Sequence, residues 1–183
     1  ISGASGSLLA KGTVDELISR EIPTALVCSN DARLVWQEEI DQPFTDVLSK
    51  WRESPWFNYY SVGDMRAPMA SGTNPYLGMV VVPCSMRAVA AMAHGLASNL
   101  LLRSADVCLK EKRRLVVVPR ETPLHATHLE NMLTLARMGA TILPPDPAFY
   151  LNPRSIDDVV SFIVDRIMLA LGIQDQLDPE FQY

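Results

Sequence analysis

Cysteine is scarce: Cys28, Cys84 and Cys108 are the only three in 183 residues, and no two form a CxxC pair. An odd, sparse set excludes a disulfide framework and fits a reducing, cytoplasmic setting. No apolar run approaches the ~18 residues needed to span a bilayer, and no basic start followed by an apolar stretch marks a signal peptide. A positive excess is also missing. Sixteen Lys and Arg face 21 Asp and Glu, a formal net charge of -5. That argues against a nucleic-acid binder while leaving room for one local basic pocket. There is no internal repeat, no low-complexity tract and no dividing linker. His125 and His128 lack the partners of a zinc site. GxGxxG is absent, and Gly3-Ala4-Ser5-Gly6 is one residue short of the GxSxG elbow of hydrolases.

What is present is ordinary globular usage, 48% hydrophobic and 20% charged, in a chain long enough for a core of its own. Four short apolar runs read as strands: Ala25-Leu26-Val27-Cys28, Gly78 to Val82, Leu115 to Val118, and Ala140 to Leu143. They are continuous, as for strands covered on both faces. Helical patterns fall at about 7–20, 31–40, 44–52, 86–98, 102–113, 123–138 and 155–171. The alternation predicts a single-domain α/β fold, an open parallel sheet with helices on both faces. The expected domain covers residues 1–172, with 173–183 a C-terminal tail and intersubunit contact. Ile1-Ser2-Gly3 reads as the end of a strand. The last helix is marked by Ile156, Val159, Val160, Ile163, Val164, Ile167, Met168 and Leu171, by a Ser155/Asp158 capping box and by Gly172 at its end. At 123–138, Thr122 reads as a cap and Pro123 as the first helical position. The segment 41–77 is the least regular, with Trp51, Trp56, Phe57, Tyr59 and Tyr60 among polar residues.

Ligands of open parallel sheets bind beyond the carboxyl ends of the strands, and four such ends are polar here. Gly3-Ala4-Ser5-Gly6 is a small-residue turn before a helix, open to an anion or simply tight. Ser29 and Ser85 read as helix caps. Cys84 reads as a buried thiol rather than a nucleophile. Arg120-Glu121, directly after a buried strand, is the one charged pair that reads as functional. Arg103 and Lys110 share a helix face, and Asp106 is placed to pair with Lys110. On spacing alone that is a solvated face. Arg166 flanks the apolar stripe of the last helix, and Tyr150 follows the stiff Pro144-Pro145-Asp146-Pro147 run.

These blocks occur in a recognisable order. Gly3-Ala4-Ser5-Gly6, Pro83-Cys84-Ser85-Met86, Leu102 to Val107, Leu109-Lys110-Glu111, Val118 to His125 and Pro144 to Tyr150 together resemble the flavin prenyltransferases of the UbiX type, over residues 1 to about 172. The Pro119-to-His125 and Pro144-to-Tyr150 blocks are specific; the glycine turn is not. Leu9-Ala10 replaces the usual Tyr-Gly after that turn.

The resemblance implies a flavodoxin-like or Rossmann-like domain in a dodecamer. It implies bound FMN, dimethylallyl monophosphate as prenyl donor, prenylated FMN as product and a UbiD-type decarboxylase as recipient, with no metal. Gly3, Ala4, Ser5, Ser29, Ser85, Met86, Arg87, Ala88 and Arg120 should contact FMN. Arg103, Lys110, Tyr150 and Arg166 should surround the donor phosphate. Glu121 beside that phosphate would be favoured in its protonated form, suiting it to donate a proton, through Ser5. Glu39 matches a glutamate near the flavin edge that takes a proton from C6, with Glu38 its neighbouring alternative. Lys110 and Ser5 thus join Glu39 and Glu121 as catalytic candidates. Two other readings are an FMN-dependent cysteine decarboxylase and a non-catalytic flavin-binding partner of a decarboxylase.

Overall fold

A computed structural model describes residues 1–182; Tyr183 of the C-terminal tail lies outside the described residues. Five parallel strands alternate with helices: α1 (Ser7–Ser19), β1 (Thr24–Val27), α2 (Asn30–Glu39), α3 (Phe44–Trp51), β2 (Phe57–Tyr60), β3 (Gly78–Cys84), α4 (Met86–Ala93), α5 (Leu100–Lys110), β4 (Arg114–Pro119), α6 (Ala126–Arg137), β5 (Thr141–Ile142) and α7 (Ile156–Leu171). β1 pairs with β2, and β3 with β4 and β4 with β5, all in parallel. The ladders form two separate groups. Residues 1 and 2 bridge them: the Ile1 nitrogen donates to Val27 O at 2.7 Å, and Ser2 N donates to Pro83 O at 3.2 Å.

Side-chain alternation along β4 assigns the helices to faces. Val116 and Val118 pack with α1 and α7, whereas Leu115 and Val117 pack with α4 and α5 and, through Leu135, α6. A third cluster is aromatic. Trp36, Phe44, Trp51 and Phe57 bury against Leu26 and Val14, and Trp36 meets Phe44 and Trp51 edge-on at 5.2 and 6.1 Å. The irregular segment therefore holds a strand, β2, that the sequence reading did not place. Its Phe57 is the one buried residue of four, too short a signal for period-2 alternation.

Local chemistry set most ends as expected. α7 carries the full Ser155/Asp158 capping box and ends on Gly172 in the left-handed region. α4 stops at Ala93, earlier than expected, with His94 as its cap and Gly95 at φ +67. α5 begins at Leu100, where Asn99 caps it, rather than at 102. α6 is a correction. It starts at Ala126 behind His125, and Thr122 and Pro123 lie in a non-helical connection. The tail folds back on α7: buried Asp165 accepts from Gln174 Nε2 at 2.5 Å and from Asp178 N at 3.0 Å.

Candidate active site

The carboxyl edge of the sheet gathers the starts of three helices. Gly3 to Gly6 crosses between β1 and β3. A Cβ on Gly3 would come within 2.5 Å of the Cβ of Asp31, so only glycine lets the turn press on the first turn of α2. Ser29 and Ser85 cap α2 and α4, accepting from Ala32 N at 3.1 Å and Ala88 N at 3.3 Å. Ser2, which the sequence reading passed over, ties the turn down. Its hydroxyl donates to Pro83 O at 3.1 Å and accepts from Ser85 N at 2.8 Å. A short hydroxyl before a glycine turn was its only signal.

An anion already sits at the start of α1, and it belongs to the chain. Glu39, the last residue of α2, accepts from Gly6 N at 2.9 Å and Ser7 N at 2.7 Å. Partial burial alone would raise its pKa, but hydrogen bonds from Ser5, Ser7 and Gly6 outweigh that and hold it below the usual glutamate value. Within the chain the dipole of α1 is satisfied by Glu39, which fits the tight reading of the glycine turn. Glu38 is exposed and makes no such contact.

The starts of α2 and α4 remain, with cations beside them. Arg87 is exposed and lies 3.5 Å from Asp31. Met86 and Ala88 are buried, so they offer a ligand their backbone rather than their side chains. Exposed Arg120 follows β4, its N–H donating to Cys84 O at 3.1 Å, and exposed Glu121 comes next, accepting from Thr122 N at 3.1 Å. Two capped helix starts with two exposed arginines suit the phosphate of a nucleotide such as FMN. Cys84 stands beneath them fully buried, its thiol pushed up to about 12 by desolvation, which fits a buried thiol rather than a nucleophile.

The four expected phosphate ligands do not meet within one chain. Arg103 and Lys110 lie on α5, seven residues and about 10 Å of helix rise apart. Arg166 lies exposed on α7, on the opposite face of the sheet. Tyr150 is in the single turn Phe149–Leu151, on the α7 side, where Leu151 and Asn152 share a groove with Val159 and Phe162. The loop 68–73 lies against the α5 pair while leaving Lys110 exposed: Arg103 Nε donates to Ala70 O at 3.0 Å, and Gly72 packs on Lys110 and Glu111. Asp106 pairs with Arg103 at 2.6 Å, not with Lys110, which pairs with Glu111. No group of three or more metal-ligating side chains occurs among the described residues. His125 and His128 stack on each other at 3.4 Å, and His94 bonds to Asn131 at 3.2 Å.

Comparison with known proteins gives one answer. The family model named Flavoprotein matches residues 1–168. The flavin prenyltransferase UbiX of Alkalihalophilus pseudofirmus is 44% identical over 182 residues, covering 97% of this chain and 91% of its own. Among solved structures, AnUbiX (PadA1) in complex with FMN and dimethylallyl pyrophosphate aligns with a TM-score of 0.90 at 38% identity, covering 100% of this chain and 93% of that one. A dodecameric FMN-dependent UbiX-like decarboxylase from Escherichia coli O157:H7 aligns with a TM-score of 0.88 at 37% identity, covering 99% and 94%. With helix starts, arginines and acid arrayed at one sheet edge and likeness running the length of the chain, this protein belongs to the Flavoprotein family, among the flavin prenyltransferases of the UbiX type.

Proposed function

We propose that the chain transfers a dimethylallyl group from dimethylallyl monophosphate to N5 and C6 of reduced FMN, making prenylated FMN for a UbiD-type decarboxylase. The supporting observation is the carboxyl edge itself. It holds two serine-capped helix starts, Arg87, Arg120 and Glu121, in a chain 38% identical to one crystallised with FMN and a dimethylallyl donor. Gly3, Ala4, Ser5, Ser29, Ser85, Met86, Arg87, Ala88 and Arg120 hold the flavin. When bound, reduced FMN supplies the nucleophilic nitrogen and the ring carbon that are alkylated.

The chain's own residues manage charge and protons. A monophosphate leaves slowly unless its charge is neutralised, and Arg103, Lys110 and Arg166 supply that, with Tyr150 donating a hydrogen bond. Glu121 protonates the departing phosphate, by way of Ser5. Glu39, held ionised by the α1 start, is an acceptor for the C6 proton. Because α5 and α7 lie on opposite faces, the clamp closes between copies: Arg103 and Lys110 come from one chain, Tyr150 and Arg166 from another. The dodecameric relative supports such an assembly, as do Leu129, Leu133 and Met138, apolar side chains exposed on and beside α6. We place the protein in the cytoplasm, on the strength of three free, buried thiols.

An FMN-dependent cysteine decarboxylase would have no use for the α5 cations, and a flavin-binding partner subunit would have none for Glu121. The test mixes reduced FMN, the donor and the protein, then weighs the extracted flavin. A gain of one prenyl group is expected, and parallel reactions with dimethylallyl pyrophosphate settle donor choice. Unmodified FMN with both donors overturns the proposal.

A further inference from the structure

Both α5 cations touch one loop, residues 68–76 of the connection between β2 and β3. Arg103 commits its Nε to Ala70 O at 3.0 Å, so the loop helps aim its guanidinium. Gly72 lies so close to Lys110 that an added Cβ would fall 2.6 Å from the ammonium. The hydrogen bonds within the loop are local. Ser71 N donates to Pro68 O at 3.2 Å, Asn74 N to Ser71 O at 3.4 Å and Asn74 Nδ2 to Pro68 O at 3.1 Å. Bonds of such short span shape a loop without fixing where it rests. Its seat on α5 needs another source.

Arg113 supplies it. α5 ends at Lys110, Lys112 turns the chain in the left-handed region at φ +54, and Arg113 N closes on Cys108 O at 2.8 Å. From there Arg113 Nη2 donates to Gly72 O at 2.7 Å, and the guanidinium lies 4.2 Å from the centroid of the Tyr76 ring. Tyr76 is fastened in turn. Its hydroxyl donates to Ser104 O at 3.3 Å, shares that proton with Met69 O at 3.4 Å and accepts from Cys108 Sγ at 3.6 Å. Burial raises the pKa of this phenol and keeps it a donor. One planar cation thus joins the tip of the loop to its far end, which a point-like ammonium would not do. Stability alone does not account for the arginine. Its Nη1 is buried with no hydrogen-bond partner among the described residues, and an unpaired N–H of a buried charged group is costly. The arrangement kept despite that cost is the one that seats the loop.

We propose that Arg113 is a positioning residue for the donor clamp: by stacking on Tyr76 and holding Gly72 O it seats the loop 68–76 on α5, and the seated loop sets how Arg103 and Lys110 meet the donor phosphate. Arg113 acts through the loop and not on the donor. The identity of the anion rests on the proposed function; the seating of the loop does not.

The test loads the protein with oxidised FMN, so that no transfer competes, and measures binding of dimethylallyl monophosphate by calorimetry. Arg113→Met removes charge and fork, whereas Arg113→Lys keeps the charge and loses the fork. Both should weaken donor binding by at least about tenfold while FMN affinity stays within about twofold. With reduced FMN and saturating donor the rate should stay within about threefold, so the loss falls on KM and not on kcat. Hydrogen exchange at Ala70 and Asn74 should quicken about tenfold in both variants, with Val117 of β4 unchanged. Gly72→Ala leaves Arg113 in place and meets first the flexible ends of Glu111 and Lys110, so it tests the loop's contact even if the arginine variants misfold. It too should weaken donor binding. Full donor affinity in Arg113→Lys would make the role one of charge and overturn the proposal. So would full affinity in Gly72→Ala, or a quickened loop with donor affinity unchanged. Wild-type protein that binds the donor yet makes no prenylated flavin overturns the proposed function and leaves these readings standing.

Discussion

Single substitutions separate the two glutamates proposed to move protons, Glu39 and Glu121. Glu121 is exposed and pairs with no cation among the described residues. Glu121→Gln should lower turnover by roughly 10²–10⁴, the span of general acid–base groups, while FMN binding by fluorescence quenching stays within twofold. Unchanged turnover would remove it from the reaction. Glu39 acts through charge at the α1 start. Its folded pKa lies below its unfolded one, so it stabilises the fold above pH about 4.5, and that contribution is lost as pH falls through the folded value. Glu39→Gln should lower the melting temperature near pH 7 to 8 and leave it little changed at the acid end, flattening the acid side of a plot of melting temperature against pH. The contacts join residues 32 and 33 apart, which is why the sequence pointed to a carboxylate here without revealing what it caps.

Elements were legible in proportion to how local their signals are. α7 could be read to the residue because stripe, capping box and terminal glycine all sit inside it. Ser155→Ala should remove half of that box and cost about 1 kcal/mol, seen as a fall of roughly 2–4 °C in the thermal midpoint. α6 was misread at its start because Thr122-Pro123 has the look of a cap, while the chain continues without helical structure to His125. β2 was missed since its strand character comes from pairing with β1 and from aromatic packing against α3. Trp36, fully buried and touching both Phe44 and Trp51, holds that corner. Trp36→Ala should cost about 3–5 kcal/mol and loosen β1 and β2 before β4 in hydrogen exchange.

On the scale of the molecule, motif order pointed to the reaction, but one sheet separates the cations assigned to it. Spacing could show that Arg103 and Lys110 share a side of α5; it could not show that α7 packs across the sheet from them. If two copies complete each clamp, Lys110→Ala and Arg166→Ala should each be nearly inactive alone. Dissociated, mixed and reassembled, they should recover part of the wild-type rate, because some junctions then carry both intact halves. Absence of recovery in verified mixed oligomers would return all four residues to a single chain.

β4 belongs to two cores at once, Leu115 and Val117 facing one way and Val116 and Val118 the other, each all but inaccessible. Arg120 and Glu121 are mounted on the tip of that doubly clamped rod. If Glu121 is the proton donor proposed above, its aim is inherited from a strand buried on both sides, and softening either core should blur that aim before the domain melts.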